Sequence, residues 1–194
     1  LLVFAMIVVM LPTAAMAAPE DGAVETAEEF ITAVNNGGTV TLANDITLSE
    51  TQKFSVSGKN VVIVLSGHNL VRSGQNSNFL FTISNNGSLT VNNSSGDGSI
   101  TSSYPVQLKS NSAFVLNGGT ITSPKGAAVD IDTSSSNVLV EINGGSIKGS
   151  ADNTFGIRGK ENIVVNINAG VISAVPGNRL AMYISGDKDN AIEI

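Results

Sequence analysis

The segment LNGGTI at residues 116–121 recurs as INGGSI at residues 142–147 and as INAGVI at residues 167–172. The three copies begin 26 and then 25 residues apart. A fixed period in the range of roughly 20–50 residues is typical of stacked structural repeats, each of which is one supersecondary unit. The sequence therefore predicts a solenoid in which one coil takes about 25 residues.

Apolar residues recur at nearly this period in three separate columns. The first column contains Leu65, Val91, Leu116, Ile142, Ile167 and Ile194. The second column contains Val56, Ile83, Leu108, Ile131, Ile157 and Ile184, and the third contains Leu70, Ile100, Ile121, Ile147 and Ile172. The residues around each position alternate between apolar and polar, which is typical of short strands.

Three short strands cannot bury an apolar face alone, whereas coils stacked about 4.8 Å apart pair strand to strand in parallel sheets. The sequence thus predicts an all-β fold, a right-handed parallel β-helix with three sheets. Six coils are discernible, the last incomplete, and inward-facing Ile, Leu and Val form columns along the axis.

Asparagine follows the first apolar column at four successive positions. These are Asn92, Asn117, Asn143 and Asn168, spaced by 25, 26 and 25 residues. Stacked Asn side chains can hydrogen-bond one another, and Asn tolerates a left-handed backbone. We expect a structural asparagine ladder at a buried corner of the coil, where the glycines that follow leave the backbone unhindered.

The first 38 residues differ from the repeats. Residues Leu1 to Leu11 are all apolar, and Ala15-Met16-Ala17 has the form of a cleavage site, so residues 1–17 are predicted to be a signal peptide. This apolar run is too short for a transmembrane helix, which needs about 20 residues. It lacks an initiator Met and a basic segment, and we therefore expect it to be truncated at its N-terminus.

A short helix is predicted between the signal peptide and the repeats. Thr26 and Glu29 have the spacing of a capping box, and Asn36, Gly37 and Gly38 would end the helix. Residues 18–38 are thus a linker and an N-terminal capping helix that covers the open end of the coil stack. The β-helix spans residues 39–194, and we expect it to be incomplete at its C-terminus.

Composition excludes several classes of function. Only 13% of the residues are charged and the net charge is −6, which does not provide the clustered Lys and Arg that nucleic acid requires. The chain has no cysteine, so disulfides, thiolate metal sites and cysteine nucleophiles are excluded. We expect a secreted or cell-surface protein with no nucleic-acid partner and no transmembrane span in the mature chain.

Three segments, GTVTL at residues 38–42, VIVLSGHNL at residues 62–70 and LNGGTI at residues 116–121, carry a family resemblance. They resemble pectate-lyase-like right-handed parallel β-helix surface proteins, which are abundant in Gram-positive gut bacteria. The resemblance covers roughly Thr26 to Ile194 and implies the fold. It does not specify an activity, because lyases, hydrolases, adhesins and stalks share this scaffold.

The outward residues beside the second column are the candidate site. In a lyase of this type Asp130 and Asp132 would act as calcium ligands or acid–base groups, and Arg158 or Lys160 would lower the pKa of a sugar proton. The favoured interpretation is a surface ladder of alternating charges that includes Lys109. Lys109 and Tyr183 are then candidates for passive ligand contact.

The sequence favours a noncatalytic adhesin or stalk module that presents a repetitive surface to an extracellular glycan or a host or cell-surface protein. One alternative is the N-terminal part of a polysaccharide lyase or glycoside hydrolase, and another is an autotransporter passenger. No metal or other cofactor is expected, and calcium enters only in the lyase alternative.

Overall fold

The computed structural model describes residues 23–150, 153–174, 180–185 and 191–193. The predicted signal peptide and Ile194 lie outside the described residues. A single short helix, α1 (Ala27–Asn36), and twenty short strands make up the regular structure of this part of the chain. The strands are β1 (Ala23–Val24), β2 (Gly38–Leu42), β3 (Ile46–Leu48), β4 (Phe54–Ser57), β5 (Asn60–Val64), β6 (Asn69–Arg72), β7 (Phe81–Ser84), β8 (Gly87–Asn92), β9 (Ser99–Thr101), β10 (Val106–Leu108), β11 (Ser112–Leu116), β12 (Thr120–Ser123), β13 (Val129–Ile131), β14 (Ser136–Ile142), β15 (Ser146–Gly149), β16 (Asn153–Ile157), β17 (Glu161–Ile167), β18 (Val171–Ala174), β19 (Leu180–Ile184) and β20 (Ala191–Glu193).

These strands form three parallel sheets that wind into a solenoid. Sheet A has the order β1-β2-β5-β8-β11-β14-β17-β20. Sheet B has the order β3-β6-β9-β12-β15-β18, and sheet C has the order β4-β7-β10-β13-β16-β19. The chain visits the three sheets in the order A, B, C six times between β2 and β19, which confirms the predicted three-sheet coil of about 25 residues.

Two of the three predicted columns are confirmed pair by pair. In sheet C, Val56 pairs with Ile83, and the pairing continues to Ile184. In sheet B, Leu70 pairs with Ile100, and the pairing continues to Ile172. Strict pairing follows because a slip of one residue would turn every apolar side chain to the outer face.

The column in sheet A needs one correction. Val91, Leu116, Ile142 and Ile167 pair as predicted, but the partner of Val91 in the preceding coil is Ile63 and not Leu65. Leu65 lies beyond the end of β5, where it is also fully buried. Period alone does not distinguish two inward residues that are two positions apart.

The core is a continuous apolar column inside the three sheets. In the first five coils the inward Ile, Leu, Val and Phe side chains have almost no exposure, and each contributes about 1.5–3 kcal/mol relative to full exposure. In the last described coil Ile184 is 52% exposed. Phe54 stacks on Phe81 with ring centroids 5.2 Å apart. Phe30 of α1 meets Phe54 edge to face at 5.5 Å, so the core extends into the helix.

Helix α1 lies against β2, β3 and β4 of the first coil. The Thr26 hydroxyl accepts a hydrogen bond from the Glu29 backbone N–H at 3.3 Å, and the Glu29 carboxylate accepts one from the Thr26 N–H at 3.1 Å. This is the predicted capping box. Gly37 ends the helix with φ +81°, a conformation that other residues rarely adopt. Strand β1 pairs with β2 and is the edge strand of sheet A at this end of the stack.

The four column asparagines form a hydrogen-bonded ladder at the end of the sheet A strands. Asn117 Nδ2 donates to Asn92 Oδ1 at 2.8 Å, Asn143 to Asn117 at 2.9 Å and Asn168 to Asn143 at 2.7 Å. The expectation of a buried corner was wrong, since Asn117, Asn143 and Asn168 are exposed. The backbone of these four residues is not left-handed, although Asn tolerates that conformation. The positive φ values at this corner belong to Gly119, Gly145 and Gly170, each of which lies two residues after a ladder asparagine.

A second asparagine ladder, which the sequence reasoning missed, lies at the start of the sheet A strands. Asn137 Nδ2 donates to Asn111 Oδ1 at 3.0 Å, and Asn162 Nδ2 donates to Asn137 Oδ1 at 2.9 Å. Here the backbone is left-handed, with φ from +51° to +64° at Gly58, Asn86, Asn111, Asn137 and Asn162. Asn is enriched in this conformation, which is costly for most other residues, and this corner repeats in successive coils.

Candidate functional site

The outer face of sheet C carries two columns of outward side chains. Pairing places Gln107, Asp130, Gly156 and Tyr183 in one column. Lys109, Asp132 and Arg158 each follow a paired inward residue of sheet C and therefore lie in register in a second column. The structure thus brings five of the predicted candidates onto one face.

Asp130 and Arg158 form an ion pair between neighbouring coils. Arg158 Nε donates to Asp130 Oδ1 at 3.1 Å, and Nη2 donates to Oδ1 at 2.5 Å and to Oδ2 at 2.6 Å. Asp130 is only 3% exposed, whereas the side chain of Arg158 is 37% exposed. Gly156 makes the pair possible, because a Cβ at this position would lie 2.5 Å from Asp130 Oδ1.

The two carboxylates of this face have opposite pKa shifts. Burial raises the pKa of Asp130, and the hydrogen bonds and charge of Arg158 offset this only in part. The pKa of Asp132 is lowered, first by the side-chain hydroxyl and then by the backbone N–H of Ser134, which both donate to its Oδ1. Lys109 and Arg158 add favourable charge to Asp132.

A depression of about 420 Å³ opens beside the ion pair, and we call it the Tyr104 depression. Its lining combines two aromatic rings with charged and amide side chains. The lining residues are Phe79, Tyr104, Gln107, Lys125, Gly126, Ala127, Asp130, Asp132, Thr133 and Arg158. The loops that lead from sheet B into sheet C form its aromatic wall.

The aromatic wall is held by several contacts. Tyr104 and Phe79 meet edge to face with centroids 5.5 Å apart, and the Tyr104 ring lies directly over Gly126, where any Cβ would collide with it. Buried Arg72 fixes the segment that carries Phe79, since its guanidinium donates to the Asn78 carbonyl at 2.6 Å and to the Gln52 carbonyl at 2.9 Å. The rings are therefore positioned before any ligand arrives.

The depression includes only some of the predicted residues. Asp130, Asp132 and Arg158 line it. Lys160 is exposed at the start of the following corner, and Lys109 and Tyr183 are exposed on the outer face of sheet C; these three do not belong to the lining. Sequence reasoning missed Phe79 and Lys125 because they lie on loops. It missed Gln107 because the residues of its outward column have no chemical type in common.

Comparison with protein-family models, curated proteins and solved structures finds no match to this chain. Within the described ranges no helix is long and apolar enough to cross a membrane. The same ranges contain no cluster of three or more His, Asp or Glu side chains arranged to hold a metal ion.

The hydrogen bonds decide what this face can do chemically. Both oxygens of Asp130 accept from Arg158, so a calcium ion would have to displace the guanidinium to reach this carboxylate. Arg158 uses Nε and Nη2 to neutralise a buried charge, and only Nη1 remains to face a ligand. Such an arrangement suits a structural pair that borders a binding surface better than an acid–base pair.

Proposed function

We propose that this chain is a secreted or cell-surface β-solenoid that acts without catalysis, as an adhesin or a stalk module. It would belong with pectate-lyase-like β-helix surface proteins of bacteria, as the segments quoted above suggest. Its long repetitive surface would contact an extracellular glycan or a host or cell-surface protein.

The observation that carries the proposal is the pairing of Asp130 with Arg158. A lyase of this fold needs free carboxylates for calcium and a free basic group near the substrate. Here the buried carboxylate and the guanidinium satisfy each other through three hydrogen bonds. Removing either partner would leave an uncompensated charge, which is typical of a structural pair.

Two further features support an extracellular module. The apolar segment Leu1 to Leu11, followed by Ala15-Met16-Ala17, has the pattern of a secretory signal. The chain has no cysteine, so an oxidising environment has no thiol to modify. Stability depends instead on the coil-to-coil ladders and the apolar column. Labelling of intact source cells with antibodies against the chain tests this part. Surface label is expected, and label that requires permeabilised cells would contradict it.

A second candidate, a polysaccharide lyase, is favoured by one specific observation. Asp130 combines a raised pKa with a position at a depression, and perturbed pKa values cluster at functional sites. Incubation with acidic polysaccharides and calcium distinguishes the two candidates. The noncatalytic proposal expects no unsaturated product, whereas product that disappears in Asp132→Asn would support the lyase.

A further inference from the structure

We propose that the Tyr104 depression binds a neutral hexose unit of a glycan, an inference that rests on the proposed function of a noncatalytic surface module. The lining offers an aromatic wall on one side and groups that can donate and accept hydrogen bonds on the other. A pyranose has the same division, because its C–H face is apolar and its rim carries hydroxyls.

The charge of the lining points to a neutral ligand. Its charged residues are two cations, Lys125 and Arg158, and two carboxylates, Asp130 and Asp132, so the lining carries no net charge. Asp130 and Arg158 neutralise each other directly. An anionic sugar would face the ionised Asp132, whose pKa is lowered, without an excess of positive charge to compensate.

Three polar groups of the lining remain available to a ligand. Asp132 uses Oδ1 for Ser134, and its Oδ2 accepts no hydrogen bond from the described part of the chain. Arg158 Nη1 and the Gln107 amide likewise have no partner among the described residues. A sugar hydroxyl both donates and accepts, so adjacent hydroxyls can donate to Asp132 and accept from Arg158 or Gln107.

The aromatic wall supplies the apolar contact. Tyr104 and Phe79 are both partly exposed, and the packing of Tyr104 over Gly126 fixes its orientation. An aromatic ring with a polar tip, such as that of Tyr104, can contact the apolar face of a ligand while its hydroxyl stays hydrated. The volume of about 420 Å³ lies within the roughly 300–1,000 Å³ range of small-molecule sites.

Titration calorimetry of the purified chain tests the inference, using neutral gluco-, manno- and galacto-oligosaccharides and an acidic oligogalacturonate. At least one neutral sugar is expected to bind. Asp132→Asn should weaken that binding about tenfold, the effect of one hydrogen bond to a charged group. Tyr104→Ala should weaken it about tenfold as well, through loss of the aromatic contact with the apolar face of the sugar. Glu141→Gln is the matched control for the loss of a carboxylate, since Glu141 lies on the outer face of sheet A and outside the depression, and it should bind as the unmodified chain does.

Thermal melting of each variant separates lost binding from lost folding. Absence of binding to every neutral sugar by the folded chain overturns the inference, and so does unchanged affinity in Tyr104→Ala. Binding of the acidic oligosaccharide alone also overturns it but leaves the proposed function intact. Release of unsaturated product from that oligosaccharide would instead overturn the proposed function.

Discussion

The carboxylate of Asp130 lies directly over the backbone of Gly156 in the next coil. A Cβ at position 156 would approach Asp130 Oδ1 to 2.5 Å. The pairing of these two residues leaves an opening in the outward column, through which Arg158 reaches the buried carboxylate. The absence of a side chain at Gly156 is therefore as important to this face as the two charges.

Gly156→Ala is expected to destabilise the fold by about 1–3 kcal/mol, because overpacking at a backbone contact forces the carboxylate or the coil to shift. Urea unfolding followed by circular dichroism measures this change. Ser55→Ala, at an exposed position of the same outward column, is the control and should stay within about 0.5 kcal/mol of the unmodified chain. An equal effect at both positions would show that Gly156 has no special packing role.

Arg158→Met removes the partner of a buried carboxylate. The expected loss is about 1–3 kcal/mol near neutral pH, below the range for fully buried pairs because the Arg158 side chain is more than a third exposed. Stability of the variant should be measured across the acid range by urea unfolding.

The sign of the pH dependence follows from the raised pKa of Asp130. The folded state binds the proton more tightly than the unfolded state, so this group lowers stability as pH rises from its ordinary pKa through the raised one. Without Arg158 the pKa should rise further, and the variant's deficit should be larger at neutral pH than at pH values below the ordinary pKa. A deficit that is constant with pH, or abolished only at high pH, would contradict the pairing. Adding Asp130→Asn to Arg158→Met should remove most of the pH dependence of this deficit.

The asparagine ladder at the end of the sheet A strands predicts graded effects of substitution on stability. Asn117 makes two ladder hydrogen bonds, whereas Asn92 makes one among the described residues. Each net bond contributes on the order of 0.5–1 kcal/mol, so Asn117→Ala should cost about twice as much as Asn92→Ala. Denaturant unfolding of both variants gives the ratio. Equal losses would indicate that the ladder bonds contribute little beyond local solvation.

The second ladder predicts a contrast between glycine and alanine. At Asn137 the backbone has φ +57°, so Asn137→Ala should be less stable than Asn137→Gly by about 1 kcal/mol. At Asn143, which is not among the positive-φ residues, alanine should be at least as stable as glycine. The four variants, compared by thermal unfolding, test whether the left-handed corner lies at 137. The same order of stability at both positions would contradict it.

Repeat spacing was sufficient to predict the coil, two of the inward columns and the hydrogen-bonding partners in the ladder at the end of the sheet A strands. It failed at Leu65, because Ile63 and Leu65 are both buried and the spacing does not show that Ile63 is the residue that pairs with Val91. The second ladder repeats at the same period, at Asn86, Asn111, Asn137 and Asn162, and the sequence alone contained this signal. Its left-handed backbone depends on the corner geometry, which spacing does not reveal.

The candidate site was less predictable than the fold. The charge column could be predicted because Lys109, Asp132 and Arg158 follow repeated apolar positions. The depression could not, because Tyr104, Phe79 and Lys125 lie on loops of different lengths in successive coils. Lys125 donates to the carbonyl of Gln75, fifty residues earlier in the chain, and no local pattern specifies such a contact.

The most direct test of a noncatalytic role is an assay of the purified chain on acidic polysaccharide with calcium. The absorbance of unsaturated uronate ends reports any product. We expect the unmodified chain and Asp132→Asn to release no product above a protein-free control. Product from the unmodified chain that is lost in Asp132→Asn would contradict a noncatalytic role and assign these carboxylates to catalysis.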